Sequence, residues 1–120
     1  MRRNVAAYLD DVVEACDAIK ATLRGVDLAA YTSQRATRSA IEREFMIIGE
    51  AVGSLSRSNP ELATGVSHAR LIVGFRNQLA HDYASIDDET VLAIAENDVP
   101  ILRGECTALL ETLGEPDQQA

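Results

Sequence analysis

The stretch Arg76-Asn77-Gln78-Leu79-Ala80-His81-Asp82-Tyr83 gathers a permanent cation, an amide, an imidazole and a phenol. A guanidinium pairs with an oxyanion through a planar fork of donors. An imidazole exchanges protons near neutral pH. Together these groups suit anion binding coupled to proton transfer. Their spacing sets a condition. On a helix, Asn77 and His81 are four apart and share a face, whereas Arg76 and Tyr83, seven apart, share another. Arg76 and His81 are five apart, about 140° around an ideal helix axis. They converge on one ligand only if the helix ends or distorts near His81, or if a second protomer contributes. The same residue types admit plainer roles: Arg76 in a surface salt bridge, His81 capping a helix C-terminus, Tyr83 half-buried with a satisfied hydroxyl. Spacing alone leaves both sets of roles open.

The elements that must position this group are helical. Val5, Leu9, Val12, Cys16, Ile19 and Leu23 advance in steps of four and three, one apolar stripe ended by Gly25. Asp27 to Tyr31 reads as a short turn or helical link, with Thr32 or Ser33 able to cap the next helix. Ile41, Phe45, Ile48, Val52 and Leu55 form the second stripe, and Asn59-Pro60 stops it. Ser67 is the expected N-cap of a third helix, with an apolar face of Ala69, Ile72, Val73, Leu79 and Ala80 and an end near His81 to Tyr83. Asp87-Asp88-Glu89 opens the next stripe, Val91, Ile94, Ala95, Val99, Leu102, Cys106, Leu109 and Leu113, with a kink or break expected at Pro100. No segment alternates with a two-residue period. The pattern predicts an all-α protein, an antiparallel bundle of four to five helices occupying residues 1–114, with 115–120 as a flexible tail. The second and third helices carry more apolar surface than a four-helix core needs, which points to a dimer.

Composition narrows the function. The 120 residues suffice for one core. Acidic residues outnumber basic ones 19 to 11, a net charge of −8. That balance excludes a broad electrostatic grip on nucleic acid or an anionic membrane, but not a small cationic pocket. Asp10 and Asp11 interrupt any signal-peptide core, and the longest apolar runs, Leu71 to Phe75 and Phe45 to Gly49, are too short to span a bilayer, so a cytoplasmic location is expected. Cys16 and Cys106 both fall on apolar faces and read as buried free thiols. No compact set of His and carboxylate residues has metal-ligand spacing.

Arg76-x4-His81-x-Tyr83, with Asn77 directly after the Arg, resembles the R-x4-H-x-Y motif of the HepT toxins, members of the HEPN superfamily. The likeness extends to Arg38-Ser-Ala-Ile-Glu-Arg-Glu-Phe-Met-Ile-Ile-Gly-Glu50-Ala51, similar to the family's second-helix stretch, and to Val99-Pro100-Ile101-Leu102. It covers most of residues 1 to 113. The resemblance implies a HEPN-type helical bundle that dimerises. It also implies a metal-independent RNA endonuclease, without cofactor, whose site is composed at the dimer interface. In such type VII-like toxin–antitoxin systems, an MNT-type nucleotidyltransferase antitoxin neutralises the toxin by adding AMP to the motif tyrosine, here Tyr83. Carried onto this sequence, Arg76, His81 and Asn77 are the expected catalytic residues, with Glu50 and Asp82 as candidate supports. The alternative is a non-catalytic HEPN module that binds nucleotides or serves as accessory to a nucleotidyltransferase.

Three further residue groups keep two readings each. Glu50 either accepts from Arg76 or a bound base, or is a partly buried carboxylate paired with Arg43 or Arg57. Arg35, Arg38 and Arg43 either touch an RNA backbone or lie on a solvated face beside Glu42 and Glu44. His68 lies thirteen residues before His81, roughly 20 Å along a helix, and is expected to be structural. A transesterification that uses both a base and an acid therefore finds its second His81 in a second protomer.

Overall fold

A computed structural model describes residues 4–82 and 86–114, apart from the side chain of Asp82. Among them the chain is all-helical: α1 (Val5–Thr22), α2 (Leu28–Ser33), α3 (Arg35–Ser58), α4 (Pro60–Ala63), α5 (Ala69–Asp82), α6 (Asp88–Asn97) and α7 (Val99–Gly114). Five of these are long and match the expected bundle, while α2 and α4 are short links of 6 and 4 residues.

Local chemistry sets most of the boundaries. Asn4 Oδ1 accepts from the Ala7 amide at 2.9 Å and starts α1. Gly25 ends that region with φ 73°, a conformation that favours a residue without Cβ. Asp27 caps α2 through the Ala30 amide at 2.8 Å. Asn59 both ends α3 and caps α4, with Pro60 at its first turn. Asp87 caps α6 through the Thr90 amide at 2.7 Å. The stripe that runs past Pro100 is indeed broken: α6 stops at Asn97, and Pro100 sits in the first turn of α7, where its missing N–H leaves no bond unmade.

Two cap assignments need correction. Thr32 and Ser33 do not cap α3, because both lie inside α2, and Gln34 takes the N-cap position without a side-chain bond. Ser67 does not cap α5 through its side chain. Its hydroxyl and amide both donate to the Glu105 carboxylate of α7. A partner distant in sequence takes up the Ser67 hydroxyl, while Arg38 donates to the carbonyls of Tyr31 and Thr32 and fastens the end of α2 to α3.

The core sits around α3, which packs on α1 and α5, while α1 also packs on α7. Leu9, Val12, Cys16 and Ile19 of α1 meet Ile41, Phe45, Ile48, Val52 and Leu55 of α3, and Val91, Leu92, Ala95, Val99, Leu102 and Cys106 close the other side. Tyr31, read from sequence as part of a link, is fully buried, and burial pushes its hydroxyl up to about 12. Cys16 and Cys106 are free and buried, both also pushed up to about 12 by burial. The α5 face departs from expectation. Only Leu79 of it is buried. Ala69, Ile72 and Val73 are half-buried and Ala80 is exposed. Leu71 on the same helix is 71% exposed.

Candidate functional site

The site is built where α5 crosses α3. One turn before the crossing, Phe45 of α3 and Phe75 of α5 meet edge to face, ring centroids 5.2 Å apart and planes at 87°. Four residues after Phe45 comes Gly49, buried on α3. Directly after Phe75 comes Arg76, whose stem lies against Gly49 so closely that a Cβ placed there would be 2.1 Å from Arg76 Cβ and 2.5 Å from its Cγ. The arginine is half-buried, and its Nε is enclosed without a hydrogen-bond partner among the described residues. Its Nη1 donates to Asn77 Oδ1 at 3.1 Å.

The amide oxygen accepts from the guanidinium of its neighbour, and Asn77 shares its helix face with His81 one turn later. Asn77 and His81 are both exposed, His81 in the last turn of α5. The helix continues unbroken through Asp82, so no distortion turns Arg76 and His81 toward each other within one chain.

The remaining candidates fall differently. Glu50 is exposed and among the described residues joins neither Arg76, Arg43 nor Arg57, so the partly buried carboxylate expected from its stripe position is corrected. Asp82 ends α5, its side chain beyond the described atoms, and Tyr83 lies outside the described residues. Arg38 is committed to the carbonyls at the end of α2, which leaves Arg35 and Arg43 as the exposed members of that trio. His68 is exposed at the opposite end of α5 from His81. It lines a cavity of about 330 Å³ between α3, α5, α6 and α7, walled by Ile72, Phe75 and Ile101 with Asp98 and Glu105. That cavity is apolar with two carboxylates, the wrong sign for phosphate, and is distinct from the Arg76 site.

Gly49 carried a signal that the spacing of apolar residues does not read. A glycine inside a long helix costs about 1 kcal/mol relative to alanine, and a frequent reason to retain one is close backbone approach.

The chain matches the family described as Ribonuclease HepT-like over residues 12–109, a span that includes Gly49, Arg76, Asn77 and His81. The chain belongs to the HepT-like ribonuclease family. A provisionally named RNase of Methanocaldococcus jannaschii is 24% identical over 119 residues, covering 99% of this chain and 98% of that protein. A second from the same organism, also provisionally named an RNase, is 30% identical over 104 residues, 87% of this chain and 94% of its own. A Thermococcus cleftensis protein, provisionally named ribonuclease HepT, is 28% identical over 109 residues, 88% of this chain and 94% of its own. No solved structure matches the chain. This HepT-like chain carries the Gly49–Arg76 contact and the Arg76–Asn77 bond within the matched span. No helix among the described residues is long and apolar enough to cross a membrane.

Proposed function

We propose that this HepT-like chain is an RNA endonuclease that needs no metal and acts as a homodimer, the toxin of a type VII-like toxin–antitoxin pair. The observation that carries this reading is the Arg76 guanidinium, half-buried, oriented by Asn77 and with Nε unpartnered, one turn from an exposed His81. RNA brings its own nucleophile. The His81 imidazole accepts the proton of a 2′-hydroxyl, the 2′-oxygen attacks phosphorus, and the bond from phosphorus to the 5′-oxygen breaks. A second, protonated imidazole, the partner subunit's His81, donates a proton to that leaving oxygen. The products are a 2′,3′-cyclic phosphate and a 5′-hydroxyl. Arg76 pairs with the phosphate oxygens and stabilises the charge that builds on them in the transition state.

The dimer reading is supported by the unbroken α5 helix, since a second protomer is the other way to bring Arg76 and His81 onto one ligand. It is supported too by the apolar residues of α5: Leu71 is exposed and Ile72, Val73 and Phe75 are only half-buried. The net charge of −8 also fits. Paired Arg76 side chains supply a local positive site inside a surface that repels RNA elsewhere. AMP added to Tyr83 by an MNT-type nucleotidyltransferase antitoxin would place bulk and negative charge two residues beyond His81 and close that site. The same acidic surface favours a second reading, a non-catalytic nucleotide-binding or interaction module accessory to a nucleotidyltransferase.

Purified protein incubated with RNA in EDTA separates the two. Cleavage to cyclic-phosphate ends that is lost in His81→Ala supports the ribonuclease. Intact RNA, together with a stable complex with the nucleotidyltransferase, supports the module. Tyr83→Phe is expected to cleave RNA and resist the antitoxin, and neutralisation of this variant by the modifying enzyme would remove Tyr83 as its target.

A further inference from the structure

Of the glycines in this chain, Gly49 faces the least yielding neighbour. At Gly65 a Cβ would meet the methyl ends of Leu109, the nearest 2.8 Å away, and at Gly53 the nearest atom is the far end of Arg57 at 3.4 Å. Such ends rotate away. At Gly74 nothing lies within 4 Å. At Gly49 the obstacle is the Cβ of Arg76, fixed to the backbone of α5, with Cγ behind it and Cα at 3.5 Å. No rotamer moves a Cβ. Ordinary carbon contacts lie near 3.5–4.0 Å, so any side chain at 49 drives α5 from α3 by roughly 1.5 Å at this point.

We propose that Gly49 is a positioning residue for Arg76: its missing side chain lets the arginine stem lie on the α3 backbone and fixes where the guanidinium is presented. Two other observations converge on it. The Arg76 Nε is enclosed without a hydrogen bond, so at that atom packing rather than a bond sets the side chain's place. The Phe45–Phe75 edge contact, adjacent to Gly49 and Arg76 along their helices, braces the same crossing. A retreat of α5 by more than about 1 Å is on the scale that lowers turnover a hundredfold while the bound state survives.

The kinetic arm of this inference rests on the ribonuclease reading, and a spectroscopic arm does not. In the full chain, the Arg76 Nε–Hε resonance is assigned by its loss in Arg76→Lys. Gly49→Ala is expected to shift that resonance and speed its exchange with water. The same variant should lower kcat on RNA on the order of a hundredfold with a much smaller change in KM. Gly53→Ala and Gly74→Ala, whose added carbons have room, are expected to leave both readouts at the parental values. Gly49→Ala is made alone and together with Gly74→Ala, which adds helix propensity in open space. A Gly49→Ala protein with an unmoved Arg76 resonance overturns the inference, as does parental kcat. A double variant without helical circular dichroism also overturns it, since Gly49 would then serve the fold and not the arginine. If the parent cleaves no RNA but the resonance moves only in Gly49→Ala, the ribonuclease reading fails and the positioning of Arg76 stands.

Discussion

Arg76 donates from Nη1 to the side-chain oxygen of its own neighbour, Asn77, at 3.1 Å. Adjacent residues on a helix point about 100° apart, so this bond bends the longer side chain across toward the shorter one. Asn77→Ala removes the acceptor and leaves the charge. The expected loss in kcat/KM on RNA is about 3- to 10-fold, the worth of one net hydrogen bond. Asn77→Asp keeps an acceptor but sets a carboxylate against the cation. It should be worse than Asn77→Ala, because it competes with phosphate for Arg76. The reverse order of the two variants would mean that Asn77 contacts substrate directly.

His81 lies in the last turn of α5 and His68 directly before its first residue, and both are exposed, which makes them a matched pair of variants. His81→Ala should lower cleavage by about 10²- to 10⁴-fold, the usual worth of a general acid or base. His68→Ala should cleave at the parental rate. Equal losses in both would place the chemistry elsewhere.

Dependence on the dimer is checked by dilution. If one site needs two copies of His81, specific activity falls as the protein crosses from dimer to monomer in sedimentation velocity. Constant activity per chain across that transition is the contrary result.

The two thiols give a test of the core. Cys16 and Cys106 are free and buried, and burial pushes both up to about 12 from 9.0. Folded protein at pH 8 should resist an aromatic disulfide reagent until denaturant is added. Linkage gives the sign for stability. A thiol whose folded value is raised contributes stability that is fully present below pH 9.0 and lost as pH climbs toward 12. Replacing both by Ala should therefore flatten the alkaline fall in Tm.

Arg103 of α7 pairs with Asp17 of α1 through Nε at 2.6 Å. That hydrogen bond holds the Asp17 carboxyl below its ordinary 3.8. A depressed carboxylate stabilises the fold above its ordinary range, and the contribution is lost as pH falls below 3.8. Both side chains are about half exposed, so the effect is small. Asp17→Asn should lower Tm slightly at pH 7, with the difference from the parent vanishing on acidification.

The long helices were legible because each obeys one rule that acts locally. Stripes advancing by three and four residues make α1 and α3, Pro60 and Pro100 mark interruptions, and Asp87 marks a start. Where a distant group offers a better bond, local reading fails. Ser67 gives its hydroxyl to Glu105, 38 residues away. Tyr31 looks like part of a link until a core forms around it. Ala80 and Ile72 continue a stripe whose outer half has no helix among the described residues to cover it.

The all-helical class, the breaks between helices and the grouping of Arg76, Asn77 and His81 at one helix end are all written in the order of residues, because they depend on period, turn chemistry and adjacency along the chain. Packing, and nothing short of it, makes Gly49 meet Arg76 and leaves Glu50 apart from it. Those facts depend on how α3 and α5 approach. The distance between two packed helices is set by the smallest side chain at their contact, which no residue reveals until its neighbour across the gap is known.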